Sequence, residues 1–198
     1  MEEHEYKWRA SEPLIAQVKA WGLAQPDAQR RVIQMRSQYY DTVDGLLRRH
    51  GAALRLRREN EQTVCCLKCG GHTTADGMHA REEYECVADN AADGLSRLPE
   101  CGAPLDLCTL ALAAPLEMLC AVDFTRCTVR LRQEDALCEL ALDEGELRHG
   151  TRTAPLYEIE LELRAGGEQP FHALAAALAD RFSLIPEPES KLARALRL

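Results

Sequence analysis

Charged residues at alternate positions of strand-like segments are the feature of this sequence best suited to chemistry. Glu3, Glu5 and Lys7 share one face of a segment whose other face is His4, Tyr6 and Trp8. Arg55 and Arg57 alternate with Leu54 and Leu56, and Lys68 lies between Leu67 and Cys69. Arg81, Glu83 and Glu85 alternate with Tyr84 and Cys86, while Arg126, Arg130 and Arg132 share a parity opposite Val129 and Leu131. Glu139 and Asp143 flank Ala141, and Glu158, Glu160 and Glu162 alternate with Ile159, Leu161 and Leu163. Successive side chains of a strand point to opposite faces, so each segment carries one apolar and one ionic face. A single such strand is explained by a solvated, salt-bridged surface, because exposed ion pairs contribute only about 0–1 kcal/mol. Seven segments together are not. Like charges on one face repel, yet 158–162 is acid-rich and both 55–57 and 126–132 are base-rich. Such segregation suits a wet interior in which carboxylates hold hard divalent cations and Arg and Lys hold phosphate oxygens.

An antiparallel sheet curled into a barrel supplies that interior, and about eight strands leave room for one small ligand. The patterning predicts strands at 2–9, through SQYYDT, and at 52–59, 62–69, 80–87, 120–132, 136–143 and 156–164. Ser11 and Pro13 open a helix of about three turns that ends near Gly22 and Pro26. A short helical turn follows at Asp44–His50 and stops at Gly51. GGHTTADG and DEGELRHG read as turns, and 93–104 as a loop rich in Pro and Gly. A short helix is expected within 105–118, an amphipathic one at 169–182, and a last short one from Ser190. The expected fold is therefore α+β, one domain over 1–198, with apolar strand faces turned outward and covered by helices.

Composition sets the outer limits. With 24 Lys+Arg against 32 Asp+Glu the formal net charge is -8, which argues against nucleic acid as a partner. No apolar run is long enough to span a membrane, and MEEHEYKWRASEP is too charged for a signal peptide. The expectation is a cytoplasmic protein whose nine cysteines are reduced. Cys66 and Cys69 form a C-x-x-C, but no second pair or nearby His completes a zinc set. His50, His72, His79, His149 and His172 lie in turns, loops or a helix without ligand spacing, and Trp8 and Trp21 read as packing residues.

These residues together resemble the CYTH family, also called triphosphate tunnel metalloenzymes. E-x-E-x-K stands at Glu3-His4-Glu5-Tyr6-Lys7, L-R-x-R carries Arg55 and Arg57, and CLK supplies Lys68. REEYE gives Arg81, Glu83 and Glu85, DFTR gives Arg126, CELALDEGEL gives Glu139 and Asp143, and YEIELEL gives the far E-x-E acids. ESKLARAL adds the late lysine, Lys191, so the resemblance spans nearly the whole chain. It is nearest in arrangement to bacterial inorganic triphosphatases, in which a histidine-rich helical (CHAD) domain often follows; this chain stops where that domain would begin.

The resemblance implies an eight-stranded antiparallel tunnel, Mg²⁺ or Mn²⁺, and a substrate bearing a linear triphosphate. Lys7, Arg55, Arg57, Lys68, Arg81, Arg126 and Lys191 would bind phosphate. Glu3, Glu5, Asp143, Glu158, Glu160 and Glu162 would hold metal directly or through water, with Glu139 a nearby acid. Glu5, Lys7 and Glu160 would be the catalytic residues. Arg130 and Arg132 either extend into the tunnel or pair with Glu83, Glu85 or Glu139, structural pairing being expected of at least one. The expected function is hydrolysis of inorganic triphosphate. Thiamine or nucleoside triphosphatases, a class IV-like adenylate cyclase and a non-catalytic polyphosphate binder are the alternatives. The aromatic shortage (Trp 2, Tyr 5, Phe 3) makes a base-stacking site harder to build. A homodimer remains open.

Overall fold

A computed structural model describes residues 2–74 and 78–198 of the protein; the tip of the GGHTTADG turn at 75–77 and the side chains of Glu2, His72 and Thr73 lie outside the described residues. The strands are β1 (Glu2–Arg9), β2 (Gln29–Thr42), β3 (Ala52–Glu59), β4 (Gln62–Thr73), β5 (Met78–Val87), β6 (Leu116–Gln133), β7 (Ala136–His149), β8 (Arg152–Ala165) and β9 (Ile185–Pro186). They pair in the order β5-β4-β3-β2-β6-β7-β8-β1-β9, and β5 also pairs with β1. Eight strands therefore close into an antiparallel barrel, and β9 continues the β5 edge alongside Trp8 and Arg9.

The α-helices are α1 (Glu12–Leu23), α2 (Leu46–Arg49), α3 (Ala91–Arg97), α4 (Leu105–Leu112), α5 (Glu168–Phe182) and α6 (Lys191–Leu196). Apolar strand faces do turn outward. Trp8, Val129, Leu140, Leu142, Ile159 and Leu161 meet Ile15 and Val18 of α1 and Phe171, Leu174 and Leu178 of α5. On the opposite wall Leu54, Cys65 and Leu67 meet Leu47 of α2, Leu95 of α3 and Cys108 of α4. Trp8 is buried, its ring 5.7 Å from that of Tyr6, as a packing residue should be. The aspartate of YYDT is structural: buried Asp41 accepts the backbone N–H of Thr42 and Leu47 at 2.8 Å each, and so holds the start of α2.

One helix has a different task. Leu192, Ala195 and Leu196 of α6 pack on Met35, Tyr39, Val122, Phe124, Leu147 and Leu156, residues whose parity faces the barrel interior. α6 thus closes one end of the barrel rather than covering its outside. Ser190 caps it, its hydroxyl accepting the Ala193 N–H at 3.1 Å.

Three segments are ordered differently from expectation. Residues 93–104 are not simply a loop: α3 fills 91–97 and a 3₁₀ turn spans Leu98–Cys101. Asn90 caps α3 by accepting the Asp93 N–H at 3.0 Å, and Ala91, Leu95 and Leu98 make the buried stripe. DEGELRHG is mostly strand, because β7 runs on to His149. A Cβ at Gly145 would lie 2.5 Å from the Phe124 Cβ, so that glycine permits close strand contact. The turn itself falls at Gly150, with φ +59. β2 likewise starts eight residues before SQYYDT, at Gln29, because QRRVIQMR pairs with β6 from Arg130 inward.

Candidate active site

Strand register brings the ionic faces together. Glu5 lies opposite Glu162, Lys7 opposite Glu160, and Asp143 opposite Glu158. On the far side Arg55 lies opposite Cys66, which lies opposite Glu85, while Lys68 faces Glu83. The barrel encloses a cavity of about 700 Å³. Its base-rich wall is Arg55, Arg57, Lys68 and Arg81, with Glu59, Glu83 and Glu85 among them, and its acidic wall is Glu3, Glu5, Glu158, Glu160 and Glu162. Lys7, Arg126 and Lys191 line it between the two, with Glu139 at the margin. Asp143 differs from expectation in one respect: it is 0% exposed and lies behind the lining, clamped by Arg126.

The acidic end is held by three cations. Arg126 donates to Asp143 through Nε and Nη2 at 2.8 Å each and also reaches Glu160. Lys191 Nζ lies 2.6 Å from Glu160, 2.9 Å from Asp143 and in contact with Glu158. Arg194 donates to Glu158 at 2.6 Å. Burial opposes the charge on Glu160, but Arg126 and Lys191 outweigh it and hold this carboxyl well below the usual range. Its neighbour Glu158 is pushed up to about 7, chiefly by burial and then by Glu160. Burial, Glu160 and Glu3 raise Glu5, and burial with Glu3 raises Glu162 to about 7. Paired carboxylates crowded in this way are what an oxygen-ligated cation relieves.

The basic wall has the complementary strain. Burial and the adjacent Arg55 guanidinium lower Arg57. The Nε groups of Arg55 and Arg57 are buried on this wall without a hydrogen-bond partner. Buried donors are seldom left so, and an anion's oxygens would satisfy them. Glu85 sits 3.6 Å from Arg55 and 3.5 Å from Arg57, and Lys68 is 3.1 Å from Glu3. Arg130 and Arg132 are exposed and outside the lining; Arg130 reaches Gln29 at 3.3 Å rather than an expected acid. Cys66 and Cys69, three apart on β4, face opposite sides, so the C-x-x-C is no chelate, and all nine cysteines are free.

Sequence reasoning missed several residues. Arg31, Glu59 and Arg164 also line the cavity. The last two simply continue the alternations 55, 57, 59 and 158, 160, 162, 164, so their signal was present. Arg194 follows Lys191 by one helical turn. His79 is not in a turn: it sits on β5 opposite Glu5, 1% exposed. Its Nε2 is 3.2 Å from the Glu187 carbonyl, which can only accept, so Nδ1 is the acceptor toward Arg81 Nη2 at 3.5 Å. Burial and nearby Lys7 depress His79 to about 4, keeping it neutral.

The protein is thus a closed eight-stranded antiparallel barrel whose lumen is lined by acidic and basic side chains. The chain belongs to the CYTH family, whose domain model matches residues 1–196. An inorganic triphosphatase of Haemophilus influenzae is 28% identical over 141 residues, 66% of this chain and 36% of that protein, so the match spans about a third of the relative's length. Among solved structures, a candidate adenylyl cyclase from Hippeastrum, reported to have a dominant triphosphatase activity, aligns with TM-score 0.64 at 22% identity, covering 98% of this chain and 95% of that one. The mimivirus capping-enzyme triphosphatase aligns with TM-score 0.57 at 11% identity, covering 93% and 90%. At these identities the two structures speak for the fold. Among the described residues no helix is long and apolar enough to cross a membrane.

Proposed function

We infer that the chain hydrolyses inorganic triphosphate within the barrel, using Mg²⁺ or Mn²⁺. The observation that carries this reading is the pairing of a basic wall, with two unpartnered guanidinium donors, and a crowded acidic wall across one cavity. Membership of the CYTH family and the similarity to an inorganic triphosphatase support it.

The residues suit a hard divalent ion: Asp143, Glu158 and Glu160 each offer an oxygen within 4.8 Å of the others. Glu3, Glu5 and Glu162 complete the candidate acid set. When bound, such an ion neutralises phosphate charge and acidifies water. Arg55, Arg57, Lys68, Arg81, Arg126, Lys7 and Lys191 would grip the phosphate oxygens and stabilise charge on the leaving pyrophosphate. Glu5, raised by burial and by Glu160, would take the proton of the attacking water. Water oxygen bonds to the terminal phosphorus, the phosphoanhydride P–O bond breaks, and orthophosphate and pyrophosphate result. Lys7, on the same strand and 3.9 Å from Glu5, and Glu160, across the register from Lys7, fix that geometry. No side-chain nucleophile is needed.

A purely ionic substrate is favoured by the sparse aromatic lining, which is Phe124 and the largely buried Tyr39. The Phe124 ring lies under the Arg126 and Lys191 cations, at 5.6 and 5.4 Å, so its face is not offered to a base. Turnover of inorganic triphosphate, thiamine triphosphate and ATP, compared at equal concentration, tests this preference. Cyclic AMP from ATP would favour a cyclase, and binding without turnover a polyphosphate binder.

A further inference from the structure

Lys191 occupies the place that a divalent ion would need. An ammonium group has three donors, and its Nζ contacts all three carboxylates of the candidate metal cluster, Asp143, Glu158 and Glu160. Its side chain is only 10% exposed. Arg126 and Arg194 engage the same three acids from either side, so three cations balance three carboxylates without any metal. A divalent ion entering this cluster would meet saturated ligands and a positive charge at its centre.

We propose that Lys191 is a built-in counter-ion that exchanges between the carboxylates and the substrate, making metal and triphosphate binding depend on each other. The inference rests on the reading that this cavity takes both. The strap before α6 is anchored: the Glu187 N–H donates to the Lys7 carbonyl at 2.9 Å, its carboxylate accepts from Arg9 at 3.0 Å, and His79 holds its carbonyl. The exchange is therefore a movement of the flexible lysine stem, not of the helix. With triphosphate present, the ammonium transfers to phosphate oxygens, which removes the positive charge at the centre of the cluster and leaves each carboxylate only its arginine partner, so that oxygens not engaged by Arg126 or Arg194 can take the ion. By linkage, metal then raises triphosphate affinity by the same factor.

Direct contact between metal and triphosphate would produce coupling with or without Lys191, so the decisive quantity is metal affinity without triphosphate. Mn²⁺ binding to the intact chain is measured by calorimetry, or by loss of the free-Mn²⁺ paramagnetic resonance signal. In Lys191→Met, Mn²⁺ affinity without triphosphate is expected to rise about tenfold or more, while the wild type gains most of that affinity only when inorganic triphosphate is added under non-turnover conditions. Lys191→Gln, which keeps amide donors for the carboxylates, should show the same direction with less risk to folding. Arg55→Met, which removes an equal charge from the opposite wall, should change Mn²⁺ affinity by less than about threefold. Unchanged Mn²⁺ affinity in both Lys191 variants, in a protein whose wild type cleaves triphosphate, overturns the exchange alone. A wild type that neither binds Mn²⁺ nor cleaves any triphosphate overturns the functional reading beneath it.

Discussion

Glu5 and Glu162 stand opposite each other in the β1–β8 register, and both carboxyls are raised by burial and by neighbouring acids. Such groups contribute charge, not packing, and neutral isosteres should separate function from folding. Glu5→Gln is expected to lower triphosphate turnover by at least ~100-fold, with a circular-dichroism melt at or above that of the wild type. Loss of the fold would instead mark Glu5 as half of a structural ion pair. Glu162 carries the same burial strain near neutral pH. Its folded value of about 7 exceeds the ordinary carboxyl value, so its contribution is fully present at low pH and is lost as pH rises through 7. Glu162→Gln should therefore stabilise the metal-free protein on the order of 2 kcal/mol at pH 8 and not at all near pH 4. Denaturant titration at the two pH values checks this, and a pH-independent effect would contradict it.

Alternating charge on β1, β3, β5 and β8 made most strands and both walls legible from the residues alone. Alternation reports a face, however, not which faces meet. That Lys7 opposes Glu160, or that Asp143 lies behind Arg126, depends on register and closure that no single strand encodes. The missed elements have local causes. The polar first half of β2 gains its place from pairing with β6, and Gly145 looked like a turn because close strand contact and chain reversal use the same residue. Gly94 misled in the same way within α3. A Cβ there would sit 2.2 Å from the Cys65 sulfur, which makes it a packing glycine between helix and barrel wall. Gly94→Ala is expected to cost about 1–3 kcal/mol in a denaturant melt; an unchanged midpoint would show that α3 can shift outward at little cost.

For the whole molecule, the net charge of -8 averages two populations that the barrel separates. It described the outside fairly and the lumen not at all. Its pH response is also a property of the assembly, because His79 ties β5 to the β9 strap through Glu187. With a folded value of about 4, its neutral form stabilises the protein fully above the ordinary imidazole value and progressively less as pH falls toward 4. Wild type should lose up to ~3 kcal/mol relative to His79→Gln between pH 7 and 4; parallel stability profiles would contradict that role. Phosphate release from inorganic triphosphate, measured with Mg²⁺, with Mn²⁺ and with chelator, tests whether the barrel is a metal-dependent triphosphatase. Release that requires metal, exceeds that from ATP and thiamine triphosphate, and stops with chelator is the predicted result. No metal-dependent release from any of the three would contradict a triphosphatase function.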